Sequence, residues 1–167
     1  MIRTLRRLFA KSQWKAEALE VNAEVAEALR HVEPEASEHG VRLTPVFGTD
    51  IPAVLGDATQ LQQVVTNLVV NAIEAVGSIP GYRREVRVVT RANGTGVEIA
   101  VADEGPGLDA QGAAQLFDST FTTKRQSMGF GLSIVRGIIE MHHGRVWFEP
   151  NVPRGAVFRT WLPAIGV

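Results

Sequence analysis

Three clusters of residues have types and spacings that could do chemistry. In the first, Gln60, Gln63, Asn67, Asn71 and Glu74 recur three to four apart, so on a helix they share one stripe. Asn competes with the helix backbone for hydrogen bonds, so two of them one turn apart need a reason. Either the stripe is a solvated face, or an amide oxygen ligates a hard cation such as Mg²⁺, which takes oxygen ligands. The second cluster is Asp103-Glu-Gly-Pro-Gly107. Its glycines let a ligand lie against bare backbone, and its acid accepts a hydrogen bond from an amino group; the same run also serves as an ordinary turn. The third is Gly129-Phe-Gly131, opening a helix. Backbone N–H groups at a helix mouth cradle phosphate with the help of the dipole, or the glycines form a plain turn. Lys124 and Arg125 could bring point charge to a phosphate, or simply be solvated. Phe117 and Phe121 flank Asp118-Ser-Thr, either as core or as a clamp on a segment ordered by ligand.

These clusters need elements to hold them. Leu61, Val64, Val65, Leu68, Ala72 and Val76 give a wide apolar face to a helix from Asp57, a good N-cap, to about Val76, with Gly77 as its stop. Before it, Val21, Val25, Leu29 and Val32 predict a helix that Gly40 terminates, and Pro34 kinks that helix or ends it near Glu33. Residues 41–47 alternate as a strand, with Pro45 favouring a sheet edge. Residues 78–84 form a turn. Glu85–Arg91 and Val97–Asp103 alternate across Asn93-Gly-Thr-Gly96, which predicts a hairpin. Residues 104–129 are rich in Gly, Ser and Thr, with a short helix near 110–117; an irregular segment of that length in a compact domain is usually functional. Leu132–His143 reads as a helix ended by Gly144, and 146–149 and 156–162 as closing strands. Helices mixed with antiparallel strands predict an α+β domain, helices packed on one face of a mixed sheet.

The first residues differ from the rest. Arg3, Arg6, Arg7, Lys11 and Lys15 have no acid among them, and Ile2, Leu5, Leu8 and Phe9 share a helical face. This segment, 1–18, reads as the tail of a longer helix, as a membrane-surface helix or as a targeting segment. The remainder, 19–167, reads as one domain, which suits 167 residues of which 45% are hydrophobic and 21% charged. The chain has no cysteine, which excludes a disulfide scaffold, Cys-ligated metal and thiol catalysis. A formal net charge of −1 argues against a nucleic-acid surface. No apolar run reaches the ~18 residues that cross a bilayer, so membrane contact would come only through regions outside this chain, and a cytoplasmic setting is expected.

The order of the clusters is more specific than any one of them. Asn67-Leu-Val-Val-Asn71-Ala-Ile-Glu74 resembles the asparagine box of sensor histidine kinases, and Asp103-Glu-Gly-Pro-Gly107 their first glycine box. Leu116-Phe-Asp-Ser-Thr-Phe-Thr-Thr-Lys124 resembles the phenylalanine box, and Gly129-Phe-Gly-Leu-Ser-Ile-Val135 the second glycine box. The resemblance covers about residues 20–163. It implies an ATP-binding catalytic domain with the two-layer α/β sandwich called the Bergerat or GHKL fold. It assigns Asn71 to Mg²⁺ bridging the ATP phosphates, with Asn67 and Glu74 lining the same site. Asp103 takes the adenine amino group in a pocket shaped by Gly105 and Gly107. Residues about 108–128 form the ATP lid, pinned by Phe117 and Phe121, with Thr123 and Lys124 at the nucleotide. Gly129, Phe130, Gly131 and Leu132 hold the triphosphate. The catalytic assignments are Asn67 and Lys124.

Three positions depart from the family pattern: Ser127 and His143 stand where glycine is common, and Ser119 replaces a common proline. None of the four histidines has the setting of the family's phosphoacceptor. His142 and His143 suit the C-terminal dipole of the last helix as imidazolium. The resemblance therefore implies phosphoryl transfer to a histidine of a dimerisation domain, upstream or in trans, and relay to a response regulator. ATP-hydrolysing relatives carry a general-base Glu where Asn67 stands, and an amide cannot take a proton from water. Other readings within the fold are a GHKL-type ATPase switch, an anti-sigma-type serine kinase, or a nucleotide-binding module without turnover.

Overall fold

A computed structural model describes residues 15–77, 84–107 and 126–166. The elements run β1 (Glu17–Leu19), α1 (Val21–Glu38), β2 (Arg42–Phe47), β3 (Val54–Gly56), α2 (Ala58–Gly77), β4 (Glu85–Asn93), β5 (Gly96–Asp103), α3 (Gln126–Met141), β6 (Arg145–Pro150) and β7 (Ala156–Pro163). Five strands form one sheet in the order β2-β4-β5-β7-β6. Only β2 and β4 pair in parallel; the other neighbours are antiparallel. The expected helix-on-mixed-sheet architecture is what forms, with Pro45 on the edge strand β2, where its missing N–H leaves no gap in a central ladder.

Strand alternation sorts the sheet into two faces. Val86 and Val88 of β4, Val97, Ile99 and Val101 of β5, and Phe158 and Leu162 of β7 are buried in one core with the apolar faces of α1, α2 and α3. Along β5 the same parity carries Asp103 onto the helix side, beside α2. The opposite parity puts Glu98, Ala100 and Ala102 on the far face. Glu98 is only 1% exposed there. Its carboxylate accepts hydrogen bonds from Arg91, Arg159 and Asn93.

Several boundaries moved from where local signals put them. Pro34 lies inside α1, which neither ends at Glu33 nor stops before Glu38. The buried Val32 and Ala36 on either side outweigh the one backbone bond that Pro34 forfeits. Gly40 does terminate the helix, at φ +66°. Two short strands had no sequence signal: β1 pairs with β3, Glu17 opposite Gly56 and Leu19 opposite Val54. β1 thereby spans the expected boundary at residue 18. The hairpin β4–β5 turns through Gly94-Thr95, since Asn93 and Gly96 are already paired. Finally, α3 begins at Gln126, six residues ahead of Leu132.

Candidate functional site

Asp57 anchors the helix that carries the amides. Its Oδ1 accepts the Gln60 N–H at 3.0 Å, the N-cap that the sequence predicts, and α2 runs from there to Gly77. The apolar stripe of α2 is fully buried, and this fixes the rotation of the amide stripe about the helix axis. The stripe is not a solvated face: Gln60 and Asn71 are 5% and 4% exposed, and Asn67 and Glu74 are half-buried. Gln63 alone among these residues faces solvent. The Asn71 Nδ2 is buried and makes no hydrogen bond to any described residue, as is true of both amide atoms of Gln60. A buried donor without a partner costs about 1–3 kcal/mol, so the Asn71 amide is a group waiting for a ligand or water.

α3 supplies the second wall. A Cβ built on Gly131 would lie 3.9 Å from the Asn71 Nδ2 and 3.9 Å from the Asn67 Cβ. The helix surface without a side chain therefore faces the amide stripe. The early start of α3 changes the reading of this motif. Gly129 and Gly131 do not lead into the helix but lie within it. What Gly131 contributes is open space between two helices. Leu132, expected at the triphosphate, has its side chain fully buried in the core.

The third wall is the end of β5. Asp103 is 2% exposed, and its Oδ1 accepts the Gly105 N–H at 2.8 Å. A Cβ on Gly105 would lie 3.1 Å from the Ala75 Cβ, one turn past Asn71 on α2. So Asn67 and Asn71 face Gly131 across α2 and α3, and Gly105, two residues after Asp103, packs on Ala75 of the same helix α2, which also carries Glu74. Gly107 takes φ +73°, the left-handed conformation that glycine admits. Phe117, Phe121, Thr123, Lys124 and Arg125, and the short helix expected near 110–117, lie outside the described residues, as does the expected lid up to residue 125.

One buried pair escaped the sequence reading. His142 is 4% exposed at the end of α3. Its Nε2 accepts the Asp57 N–H at 3.2 Å, and its Nδ1 donates to the Ile138 carbonyl at 2.8 Å. Accepting through Nε2 requires a neutral ring, and burial lowers the His142 pKa below the ordinary histidine value, against the opposing pull of the Ile138 carbonyl and Asp57. The expected imidazolium at the helix C-terminus is therefore corrected for His142. His143 is exposed and takes φ +62°, the left-handed conformation for which glycine is the common choice. A His at a helix end gives no local sign of burial against an N-cap 85 residues away.

Three helices on one face of a mixed five-strand sheet, with amides, an acid and glycines brought toward α2, define the class of fold, and comparison with known proteins gives its kinship. Residues 56–165 match the model of the histidine kinase-, DNA gyrase B-, and HSP90-like ATPase family. The chain belongs to that family. It is 41% identical over 167 residues to the sensor protein FixL of Bradyrhizobium diazoefficiens, spanning 98% of this chain and 32% of FixL. It is 37% identical over 163 residues to the C4-dicarboxylate transport sensor protein DctS of Rhodobacter capsulatus, covering 98% of this chain and 25% of DctS. Among solved structures, the catalytic domain of histidine kinase ThkA superposes with a TM-score of 0.79 at 30% identity, over 90% of this chain and 96% of that one. The chain thus spans a quarter to a third of the length of these two sensor proteins. No helix among the described residues is long and apolar enough to cross a membrane.

Proposed function

We propose that this chain is the ATP-binding catalytic domain of a sensor histidine kinase, delivering the γ-phosphoryl of ATP to a histidine on a dimerisation domain for relay to a response regulator. The observation that carries the reading is the buried, unpartnered Nδ2 of Asn71, a donor open to a phosphate oxygen, facing the bare surface of Gly131. Asp103, whose loop packs on the same helix through Gly105 and Ala75, has a carboxylate oriented by the Gly105 N–H and suited to accept from an adenine amino group. A solved complex of histidine kinase ThkA with response regulator protein TrrA has a chain similar to this one, with a TM-score of 0.76 at 26% identity.

Among the described residues no three His, Cys, Asp or Glu side chains converge to hold a metal. The donors at hand are the Asn71 amide oxygen and, on the same helix, the Glu74 carboxylate. Hard oxygen donors this few suit Mg²⁺, which keeps waters and completes its shell with substrate phosphates. Bound there, Mg²⁺ would offset charge on the β- and γ-phosphates. The work of the protein is then positioning: Asp103 fixes the base, Asn71 fixes the phosphate end, and Lys124 adds charge from the lid. Asn67 stands one turn before Asn71, and its amide cannot deprotonate a water. That disfavours an ATPase switch and favours transfer to a protein nucleophile.

Two measurements test the reading. Asn71→Ala should abolish Mg·ATP binding by calorimetry; an unchanged affinity would sink the assignment. Mixed with Mg·ATP and a candidate dimerisation domain, the wild-type chain should yield acid-labile, base-stable phosphohistidine. Acid-stable phosphoserine would point instead to a serine kinase.

A further inference from the structure

The turn between β6 and β7, residues 151–155, has no part in the site described so far. Strand register brings it there. Asp103 pairs with Ala156, and Ala156 with Pro150, so three strands stop side by side. The loop 103–107 and the turn 151–155 leave the sheet together, and side chains of the turn bind the backbone of the loop. Asn151 Nδ2 donates to the Asp103 carbonyl at 2.9 Å, and Arg154 Nε donates to the Glu104 carbonyl at 3.2 Å. The turn is also closed on itself. The Asn151 N–H donates to the Gly155 carbonyl at 3.1 Å, and Asn151 Oδ1 accepts the Val152 N–H at 2.9 Å.

Gly155 makes the close approach possible. It sits at φ +109°, and a Cβ there would collide with the Asp103 carbonyl oxygen and lie 2.8 Å from the Glu104 Cα. These are backbone atoms, which cannot swing aside as a side-chain tip can. A Cβ on Gly107 would in turn lie 3.0 Å from the Gly155 carbonyl oxygen. Asp103 is therefore held at both ends: its carboxylate by the Gly105 N–H, its carbonyl by Asn151.

We propose that Asn151 and Gly155 are positioning residues for the base-reading end of the nucleotide site, setting the backbone from which the Asp103 carboxylate is aimed. Neither touches nucleotide; both act through Asp103. The inference rests on the assignment of Asp103 to the adenine amino group. Asn151→Asp tests it with little change of shape. It keeps the oxygen that accepts from Val152 and loses the N–H that donates to Asp103.

The experiment measures affinities of the 167-residue chain for Mg·ATP and Mg·GTP by competition against a fluorescent ADP analogue, with melting temperature recorded alongside. Asn151→Asp should weaken ATP about tenfold, the scale of one lost hydrogen bond and its misalignment, and leave GTP nearly unchanged, so the preference for adenine narrows. Gly155→Ala, which must displace the Asp103–Glu104 backbone, should narrow it further. General loss of folded protein would lower both affinities in step and leave their ratio intact, and that result overturns the proposal. So does an Asn151→Asp variant with the wild-type ratio. Asp103→Asn is the control on the underlying assignment. If it retains the wild-type preference, the reading of Asp103 fails; if it loses the preference while Asn151→Asp does not, only the role of the turn fails.

Discussion

Asn71 and Gly131 each gain meaning from the other. An orphaned Nδ2 donor inside a helix–helix seam would be a defect if the seam were filled; the missing side chain at Gly131 keeps it open. This gives a prediction with two signs. A Cβ at Gly131 meets only ordinary contacts at 3.9 Å, so Gly131→Ala should fold. It should gain about 0.5–1 kcal/mol of stability, because alanine replaces glycine in a helix interior. It should also lose Mg·ATP affinity, since the methyl enters the space beside Asn67 and Asn71. Thermal melts and calorimetry on one sample check both; a variant that gains stability with full affinity would show that the space is not the nucleotide's. Asn67→Glu places a carboxylate base one turn before Asn71 and should raise ATP hydrolysis, read as phosphate release; no rise would leave the base argument without support. At this scale the sequence was legible. The amides, the acid and the glycines could be named from type and spacing, because chemistry is a property of the side chain.

Elements were legible where local signals governed them. Asp57 caps α2 as its type and position foretell, and Gly40 takes the left-handed conformation that ends α1. They were not legible where tertiary contacts overrode local cost, as at Pro34 inside α1, or where pairing is remote, as between β1 and β3. The tie between the end of α3 and the start of α2 is of this second kind. A Cβ on Gly56 would lie 2.6 Å from the His142 Nε2, so the glycine admits the ring that receives the Asp57 N–H. Because burial depresses the His142 pKa in the folded state, the unfolded chain binds more protons just below pH ~6.5. Stability contributed by the neutral ring is thus fully present above that pH and is lost as pH falls below it. Denaturant melts from pH 7.5 to 5.5 should show this decline, and His142→Gln should flatten it; an equally steep decline in the variant would assign it to other groups. Asp57→Ala, which removes the cap, should cost about 1 kcal/mol in the same melts.

At the scale of the whole molecule, one sheet separates two environments. On its helix side the core is continuous from α1 to β7, and Ile99→Ala or Leu68→Ala should cost about 2–5 kcal/mol by chemical denaturation. On its far side Glu98 is buried among arginines. Burial alone would raise its pKa, but the hydrogen bonds from Arg91, Arg159 and Asn93 together prevail and hold it below the usual carboxylate value. Period-2 alternation along β5 could be read from residues 97–103, and in the structure it puts Ile99 and Asp103 on one face. That alternation could not say which strands would flank β5, nor that its end would meet the turn carrying Asn151 and Gly155. The sequence by itself determined the chemistry available, the order of the motifs and the type of each long element, because propensity, periodicity and capping act over a few residues. The tertiary structure alone decided that Asn71 would face Gly131, that Gly105 would rest on Ala75 and that His142 would close on Asp57. Each of those meetings joins residues 30 or more positions apart, and strand order and helix packing, which no local signal encodes, set the distance between them.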